Sequence, residues 1–437
     1  MPLKISTFPV NEIILGSKTE WNNDGRLELD REDLLSMIHS ESFVYEARLD
    51  IARPDRSVRI INYHDIYEPR IKSEGPGVTY PGKCGRSVET VGEGHTHRLE
   101  GISVIGCLND DLSPYVTTDS AEPPTPERGK LSGWINSRFI DMSGPSAVLS
   151  YASLQNLCLT LSLNGELDSN DRALVINSAV IKLCDKLAET TIGSNPPYTE
   201  TFDLETRDSS LPGVVLICLL SSSENRNGPR SSAGNAIYGS TRLSAPWILN
   251  PTEFMDGAVT GGSEHETWPF TNNPLVLDLC RRHGKSLNFL GCIVGRTNWG
   301  GEDEMRLSGN RAAQAAKLLG AQGAIITNNI RGRRFVDSVR TIQACEHVGI
   351  RTVFVSEEED NENGEAPAFL SHPPEMGAVV STGTGAVGPF PAVDEVIGTL
   401  GRAHPDWYQR LPAIPGRYGA GHVRDLYGIG KQSYTDY

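Results

Sequence analysis

The sequence lacks a long apolar run, a secretion signal and a C-x-x-C pair, and each absence excludes a class of protein. No stretch approaches the ~20 apolar residues that a helix needs to cross a bilayer, and the amino terminus has no charged segment followed by an apolar one. The eight cysteines are scattered, which fits neither a structural zinc site nor a redox dithiol. We therefore expect a cytoplasmic protein whose thiols are reduced and mostly buried.

The chain also has fewer basic than acidic residues. The chain has 40 Lys and Arg against 55 Asp and Glu, a net charge of -15, which argues against binding to the phosphate backbone of nucleic acid. Its 437 residues suffice for two or three domains, and a content of 38% hydrophobic and 22% charged residues is typical of a soluble globular protein. Neither nucleic acid nor a membrane is an expected partner.

The order of strand-like and helix-like segments predicts an α/β protein, with a β-rich N-terminal domain followed by a doubly wound, mostly parallel α/β domain. We assign residues 1–125 to the β-rich domain, 126–250 to a mixed α/β region and 251–400 to the doubly wound domain. Residues 401–437, rich in Tyr, Arg, Gly and Pro, are expected to form a C-terminal arm over the body or onto a partner.

Local signals place several elements. Asn23-Asp24-Gly25 is a hairpin signal, and Asp30 is placed to cap a helix over 31–39. Helical spacing of apolar residues predicts a helix over 168–189, and the apolar run 213–220 predicts a strand buried on both faces. Alternation then predicts helices over 273–283, 303–319 and 335–348, and strands over 288–294, 323–327, 351–355 and 378–381.

His95-Thr96-His97 is the sharpest polar signal in the chain. Residues two apart in a strand face the same side, so both imidazoles can share a metal ion or a substrate. Zinc needs one or two further ligands, for which the sequence offers Glu93, Asp141, Asp256, Glu264 and His265. Bound zinc would lower the pKa of its water to about 7 and supply a hydrolytic nucleophile. The alternative is a His pair satisfied by hydrogen bonds.

Ligands of open α/β sheets bind beyond the carboxyl ends of the strands. Asn298 and the turn Thr382-Gly383-Thr384-Gly385 follow predicted strands, and the backbone amides of such a turn can cradle a carboxylate or another anion. Thr382, Gly383, Thr384 and Asn298 are therefore candidate substrate-binding residues. No G-x-G-x-x-G motif opens a helix, so a dinucleotide site has little support. The alternative is a turn that needs its glycines only for its shape.

Several separate blocks of the chain carry a resemblance to a known family. They are LDIARP (49–54), EPRIKSEGPG (68–77), GEGHTHRLEG (92–101), IDMSGP (140–145), PTEFMDG (251–257), NNPLVLDLCRRHG (272–284) and VDEVIG (393–398). Their order over roughly residues 10 to 400 resembles the large component-B subunit of the glycine/sarcosine/betaine reductases, and more distantly the D-proline reductase proprotein.

The resemblance implies reductive cleavage of a C–N bond in a small amino acid or betaine. In that family a cysteine near this position is cut by the chain itself and becomes a pyruvoyl group, which holds the amine as a Schiff base. A partner subunit supplies a selenol or thiol. Here the corresponding segment, AVTGGSEHETWPFT (258–271), is shortened and has no cysteine, so we expect no cysteine-derived pyruvoyl group. Self-cleavage at Gly262-Ser263 to a serine-derived pyruvoyl is an alternative.

Glu264 and His265 stand in place of the lost cysteine segment, in an irregular loop where site residues concentrate. Because His titrates near neutrality, the two can act as acid and base. Asp256 and Asp141 belong to blocks that match the family and are further candidate catalytic residues, although either can instead bond turn amides. A shortened, inert loop is the alternative for the segment.

Three functions agree with these patterns. The first is a reductase-like subunit that acts on a C–N or other C–heteroatom bond, beside a component-B-like partner that bears a thiol or selenol. The second is a metal- or acid/base-dependent hydrolase or lyase. The third is a non-catalytic subunit that binds substrate or organises its partner. A hetero- or homo-oligomer is expected in each case.

Overall fold

A computed structural model describes most of the chain. The described residues are 1–109, 139–144, 147, 149–167, 169–221, 236–240, 245–261, 266–297, 301–328, 333–356, 369, 371–382 and 392–400. The strands are β1 Leu3–Pro9, β2 Glu12–Leu15, β3 Glu20–Trp21, β4 Arg26–Leu29, β5 Val44–Ala52, β6 Val58–Ile61, β7 Tyr63–Tyr67, β8 Arg70–Glu74, β9 Gly94–Glu100, β10 Ile102–Leu108, β11 Phe139–Asp141, β12 Gln155–Leu163, β13 Tyr198–Phe202, β14 Gly213–Ser221, β15 Ala236–Ile237, β16 Trp247–Leu249, β17 Val259–Thr260, β18 Asn288–Thr297, β19 Gly323–Thr327, β20 Arg351–Ser356, β21 Val379–Ser381 and β22 Glu395–Ile397.

The α-helices follow the sequence signals closely. They are α1 Arg31–His39, α2 Ser169–Glu189, α3 Pro251–Met255, α4 Thr267–Thr271, α5 Pro274–Arg282, α6 Glu302–Leu318 and α7 Arg333–His347. The predicted cap of α1 is confirmed, because the Asp30 side chain accepts a hydrogen bond from the Asp33 amide. The predicted hairpin is confirmed as well: β3 pairs with β4 in antiparallel fashion, and Gly25 has a φ of 82°.

A six-stranded sheet forms the centre of the second half of the chain. Its order is β16-β18-β14-β19-β20-β21, and every neighbouring pair is parallel except β16 with β18. Helices α6 and α7 pack on one face, and α5 lies with the core on the other. The protein is therefore mixed α/β, as expected. Its central strand β14 begins before residue 251, and the predicted domain limits stay predictions.

Four strands of the first half complete sheets with strands from much later in the chain. Strand β13 pairs with β1 in the sheet β13-β1-β9-β8, and β12 pairs with β5 and β10 in the sheet β5-β12-β10-β7. Strand β22 pairs with β6. The pairing of β22 with β6 joins the two halves of the chain. The arm predicted over 401–437 lies outside the described residues.

Each sheet encloses apolar residues on one or both faces. Helix α2 packs against β10, where a Cβ on Gly106 would lie 2.8 Å from Ile176 and Val180 side-chain atoms, so the helix and the strand approach as closely as a glycine allows. All eight cysteines are free, and seven are buried, which confirms the expected buried thiols. Within the described residues, no helix is long and apolar enough to span a membrane.

Candidate functional site

The ends of segment 262–265 are held by one hydrogen-bond network. The amide of Thr267 donates to Oδ1 of Asp65 over 2.7 Å, and its hydroxyl donates to Oδ2 over 2.8 Å. The same hydroxyl accepts a 2.9 Å hydrogen bond from the amide of Gly261. Asp65 is 3% exposed and also accepts the amide of Ile66. Asp65 on β7 therefore holds Thr267 directly and Gly261 through the Thr267 hydroxyl.

Lys83 adds a cation to this network. Its ammonium donates to the carbonyl of Gly261 over 3.3 Å and lies 3.9 Å from Oδ2 of Asp65. The side chain is 16% exposed, so solvent reaches it. A lysine ammonium has three N–H donors, and the Gly261 carbonyl takes one of them. Lys83 can therefore receive an anionic group at the edge of the site.

The loop that carries Lys83 is fixed by close backbone approach. Gly82 has a φ of 74°, and a Cβ there would lie 2.1 Å from the carbonyl oxygen of Tyr238. Tyr238 itself has a φ of 50° and precedes Gly239, whose Cβ would meet the Gly82 carbonyl oxygen at 2.2 Å. Only glycine fits at such contacts. The position of Lys83 is thus set by the packing of two backbone turns.

A carboxylate and two phenols lie on the other flank. Glu266 is 8% exposed and accepts hydrogen bonds from Tyr63 over 3.0 Å and from Tyr151 over 3.5 Å. The ring of Tyr151 meets Trp268 edge-on, with centroids 5.6 Å apart. Hydrogen bonds from phenols stabilise a buried carboxylate. This flank is a polar and aromatic wall directly before α4.

Cys84 is the one cysteine of the chain that is not buried, and it follows Lys83. Its backbone is left-handed, with a φ of 52°. Burial of its sulfur raises the pKa of the Cys84 thiol to about 11, against the opposing charges of Lys83 and Arg86. Because a thiol with so high a pKa is protonated at neutral pH, Cys84 is not an activated nucleophile.

Asp256 lies in a separate buried cluster. Its Oδ1 accepts a 2.6 Å hydrogen bond from Thr96, and its Oδ2 accepts the amide of Gly92 over 2.8 Å and the ammonium of Lys72. Asp256 is fully buried, and the Lys72 side chain is 5% exposed. The carboxylate joins the end of α3 to β8 and β9, which is a positioning arrangement.

His95 and His97 face the same side of β9, as the sequence predicted. Their ring centroids lie 5.0 Å apart, edge to face. Nε2 of His95 lies 2.7 Å from the hydroxyl of Ser6, and Nδ1 of His97 lies 3.0 Å from the hydroxyl of Thr191. Burial lowers the pKa of both imidazoles, so both are neutral at pH 7.

The other predicted ligands and catalytic groups lie elsewhere. Asp141 is fully buried and bound by Arg59 through Nε over 2.5 Å and Nη2 over 2.8 Å. Glu93 pairs with the amino terminus over 3.5 Å. Asp256 contacts Thr96, whose side chain points away from the imidazoles. In the described ranges no three His, Cys, Asp or Glu side chains are arranged to hold a metal ion.

Polar residues do end the parallel strands of the six-stranded sheet. Thr382 follows β21 and is 2% exposed, and its hydroxyl has no hydrogen-bond partner among the described residues. Gly383, Thr384 and Asn298 lie outside the described residues, as do Glu264 and His265. The substrate-binding role of the first group and the acid–base role of the second stay predictions.

Sequence reasoning missed the residues that anchor the site: Asp65, Lys83, Glu266, Tyr63, Tyr151 and Thr267. Asp65 and Thr267 lie 202 positions apart, and no local motif links them. One signal was present, because Thr267 lies within the segment AVTGGSEHETWPFT (258–271). Asp65 also carries a signal, because it is a polar residue in the strand that directly precedes EPRIKSEGPG (68–77), one of the blocks that resemble the family.

The chain matches a protein family and several known proteins over most of its length. The family model described as glycine/sarcosine/betaine reductase component B subunits matches residues 1–406. The chain is similar to the betaine reductase complex component B subunit alpha of Peptoclostridium acidaminophilum, with 30% identity over 418 residues, 92% of this chain and 88% of the relative. It is also similar to that organism's sarcosine reductase complex component B subunit alpha, with 27% identity over 92% of this chain and 90% of the relative.

A third relative is the glycine reductase complex component B subunits alpha and beta of the same organism, with 28% identity over 92% of this chain and 90% of the relative. The printed names of all three describe parts of reductase complexes. No solved structure matches the chain significantly.

Proposed function

The chain belongs to the family of glycine/sarcosine/betaine reductase component B subunits, and from this premise we propose that it is a reductase-like subunit of a component-B-type heteromer. It acts on a C–N, or another C–heteroatom, bond of a small amino-acid-like substrate. A second subunit supplies the thiol or selenol that attacks this bond. The relatives, which are components of betaine, sarcosine and glycine reductase complexes, support this substrate class.

The proposal excludes a cysteine-derived pyruvoyl group. The chain has no cysteine between Cys218 and Cys280, so the segment that bears the group in the resembling family has no precursor for it. The observation that carries the proposal is the anchoring of this same segment by Asp65, Thr267 and Lys83. Because hydrogen bonds fix the residues on both sides of segment 262–265, we infer that this segment forms a functional site.

Lys83 is the proposed recognition residue for the substrate. Its ammonium is partly exposed and keeps donors for a carboxylate, which every amino acid and betaine carries. Asp65 accepts hydrogen bonds on both oxygens and acts as a positioning residue for Thr267 and Gly261. The wall of Glu266, Tyr63 and Tyr151 supplies a negative charge for the substrate's cationic nitrogen.

Glu264 and His265 remain the proposed acid and base, since they lie in sequence between the two anchored flanks. Thr382, Gly383, Thr384 and Asn298 remain proposed substrate contacts at the carboxyl edge of the sheet. Asp256 accepts hydrogen bonds from Lys72, Thr96 and the amide of Gly92, and Asp141 accepts hydrogen bonds from Arg59. These contacts favour positioning roles for both carboxylates.

The first test is the intact mass of the purified, denatured chain. One species near 47.6 kDa is expected. Two fragments that meet near residue 263, with a blocked new amino terminus, would establish a serine-derived pyruvoyl group and overturn the proposal. Copurification of a second subunit supports the heteromer, whereas turnover by the lone chain would favour a hydrolase or lyase.

The second test uses calorimetry to measure the binding of glycine, sarcosine and betaine to the chain. Lys83→Ala should weaken the binding of the preferred compound by about tenfold or more, since a charged hydrogen bond contributes about 1.5–3 kcal/mol. Lys83→Arg should restore part of it. Lys285→Ala, an exposed lysine, is the matched control. Unchanged affinity in Lys83→Ala would remove Lys83 from the site.

A further inference from the structure

The turn that packs against the Lys83 loop belongs to a short two-stranded ribbon. Strands β15 and β17 pair in antiparallel fashion, Tyr238 follows β15 and Gly261 follows β17. The amide of Tyr238 continues the pairing, because it donates a 2.9 Å hydrogen bond to the carbonyl of Ala258. One ribbon therefore presents both carbonyl groups that the Lys83 loop meets, those of Tyr238 and Gly261.

The phenol of Tyr238 ties this ribbon to two other parts of the chain. Its hydroxyl donates to Oε2 of Glu253 over 2.5 Å and accepts the amide of Val91 over 3.2 Å. Burial, and then the hydrogen bond to Glu253, raise the pKa of the phenol, so it is protonated at neutral pH and keeps its donor. The side chain thus links the turn to α3 and to the loop before β9.

Glu253 is a rigid acceptor, because it belongs to the N-terminal cap of α3. Its Oε1 accepts the amide of Asn250 over 2.6 Å, and the Asn250 side chain accepts the amide of Thr252, which closes a capping box. Glu253 is 7% exposed. With each oxygen bound to a different donor, the carboxylate has little freedom to turn, and the phenol is held in one place.

The Lys83 loop packs directly on the turn that Tyr238 holds. A Cβ on Gly82 would lie 2.1 Å from the carbonyl oxygen of Tyr238, so no gap separates the two backbones. Residues 87–90, beyond Lys83, are exposed and give the loop little further packing. A shift of the turn would therefore shift Gly82 and carry the Lys83 ammonium away from the Gly261 carbonyl, its acceptor at 3.3 Å.

We propose that Tyr238 is a positioning residue for Lys83, through the hydrogen bond that its hydroxyl donates to Glu253. This role rests on the proposed function, in which the Lys83 ammonium receives the carboxylate of the substrate. Tyr238 acts through the backbone of its turn and does not touch the substrate. Loss of the hydroxyl leaves the ammonium present but less well oriented, and a hydrogen bond weakens with poor orientation.

The first measurement needs no substrate. Acetylation of Lys83 in the full chain by an N-hydroxysuccinimide ester, followed by peptide mass spectrometry, reports how freely the side chain leaves its acceptor. Tyr238→Phe should raise the rate at Lys83 by about threefold to tenfold, the range expected for one lost hydrogen bond. Tyr198→Phe, at an exposed tyrosine, should leave it unchanged, and the exposed Lys285 is the internal reference. An unchanged rate in Tyr238→Phe would overturn the proposal.

The second measurement is a double-mutant cycle on substrate affinity. Calorimetry with whichever of glycine, sarcosine and betaine binds best compares the wild type with Tyr238→Phe, Lys83→Ala and the variant that carries both changes. Tyr238→Phe should weaken binding by about threefold to tenfold, but it should have no further effect once Lys83 is alanine. A general structural role would weaken binding equally in both backgrounds, and that result would contradict positioning through Lys83.

Two controls keep the outcomes separate. Thermal unfolding shows whether Tyr238→Phe keeps the fold, and Glu253→Gln breaks the same pair from the other side, since its amide group replaces one of the two acceptor oxygens. Glu253→Gln should therefore raise the acetylation rate of Lys83 as well. Unchanged affinity in Lys83→Ala would refute the proposed substrate contact, whereas the acetylation rates would still decide whether Tyr238 positions the side chain.

Discussion

Thr96 donates a 2.6 Å hydrogen bond to Asp256 from the face of β9 opposite to His95 and His97. One strand therefore separates the carboxylate from the imidazoles, although the sequence offered Asp256 as a ligand for the same metal ion. The period of two along a strand is the physical reason, because adjacent residues point to opposite faces. Asp256 instead joins α3 to the sheet through Thr96 and Lys72.

Gly82 and Gly85 form a matched pair for testing the Lys83 loop. Both have positive φ, 74° and 77°, but a Cβ on Gly82 would meet Tyr238, whereas one on Gly85 would meet nothing within 4 Å. Gly85→Ala should lower the free energy of unfolding by about 1–2 kcal/mol, the strain of a left-handed alanine. Gly82→Ala should cost about 1–3 kcal/mol more, from the clash. Denaturant unfolding measures both, and equal effects would contradict the close approach.

Asp141 should behave as a structural residue. Asp141→Asn leaves the fully buried Arg59 guanidinium without its counter-charge, and breaking such a pair costs about 3–5 kcal/mol. Asp278→Asn, which breaks an exposed pair with Arg282, should cost about 0.5 kcal/mol or less. Denaturant midpoints compare the two. A loss of activity in Asp141→Asn without a loss of stability would restore a catalytic role.

The alkylation of Cys84 should depend steeply on pH. Because burial raises the pKa of its thiol to about 11, the thiolate is scarce at neutral pH, and the rate should rise about tenfold per pH unit up to about pH 10. Peptide mass spectrometry after iodoacetamide treatment measures this rate. The chain unfolded in urea is the control and should react much faster near pH 8. A plateau near pH 8 in the folded chain would show an ordinary thiol.

Stability should fall as the solution becomes acidic. Burial and the neighbouring His95 lower the pKa of His97 in the folded chain, so the unfolded chain binds the proton more readily. The free energy of unfolding contributed by His97 is then complete above the unfolded pKa of about 6.5 and decreases as the pH falls below it. The carboxylate of Glu74 opposes this lowering of the His97 pKa.

The free energy of unfolding of the wild type and of His97→Gln, measured between pH 5 and 8 in the presence of a chelator, tests this pH dependence. The variant should show a flatter dependence on pH, and His39→Gln should keep the slope of the wild type. A stability of His97→Gln that falls more steeply toward pH 5 than that of the wild type would show that folding raises, rather than lowers, the pKa of His97.

Much of the local structure was predictable from the sequence. The cap at Asp30, the hairpin at Gly25, the helix over Ser169–Glu189 and the strand Gly323–Thr327 follow from local propensity and periodicity. The common face of His95 and His97 follows from the strand period alone. The family follows from blocks of residues whose order is kept, and the absence of a cysteine from 219–279 is a fact of the sequence.

Only the tertiary structure decided which of these pieces meet. The pairing of β1 with β13, the bond between Asp65 and Thr267 and the burial of Asp141 on Arg59 join residues 82 to more than 190 positions apart. Such contacts depend on which surfaces pack together and in which register, and a local pattern carries neither. The sequence therefore determined the elements, and the packing determined that Lys83 contacts Gly261 and Asp65 contacts Thr267.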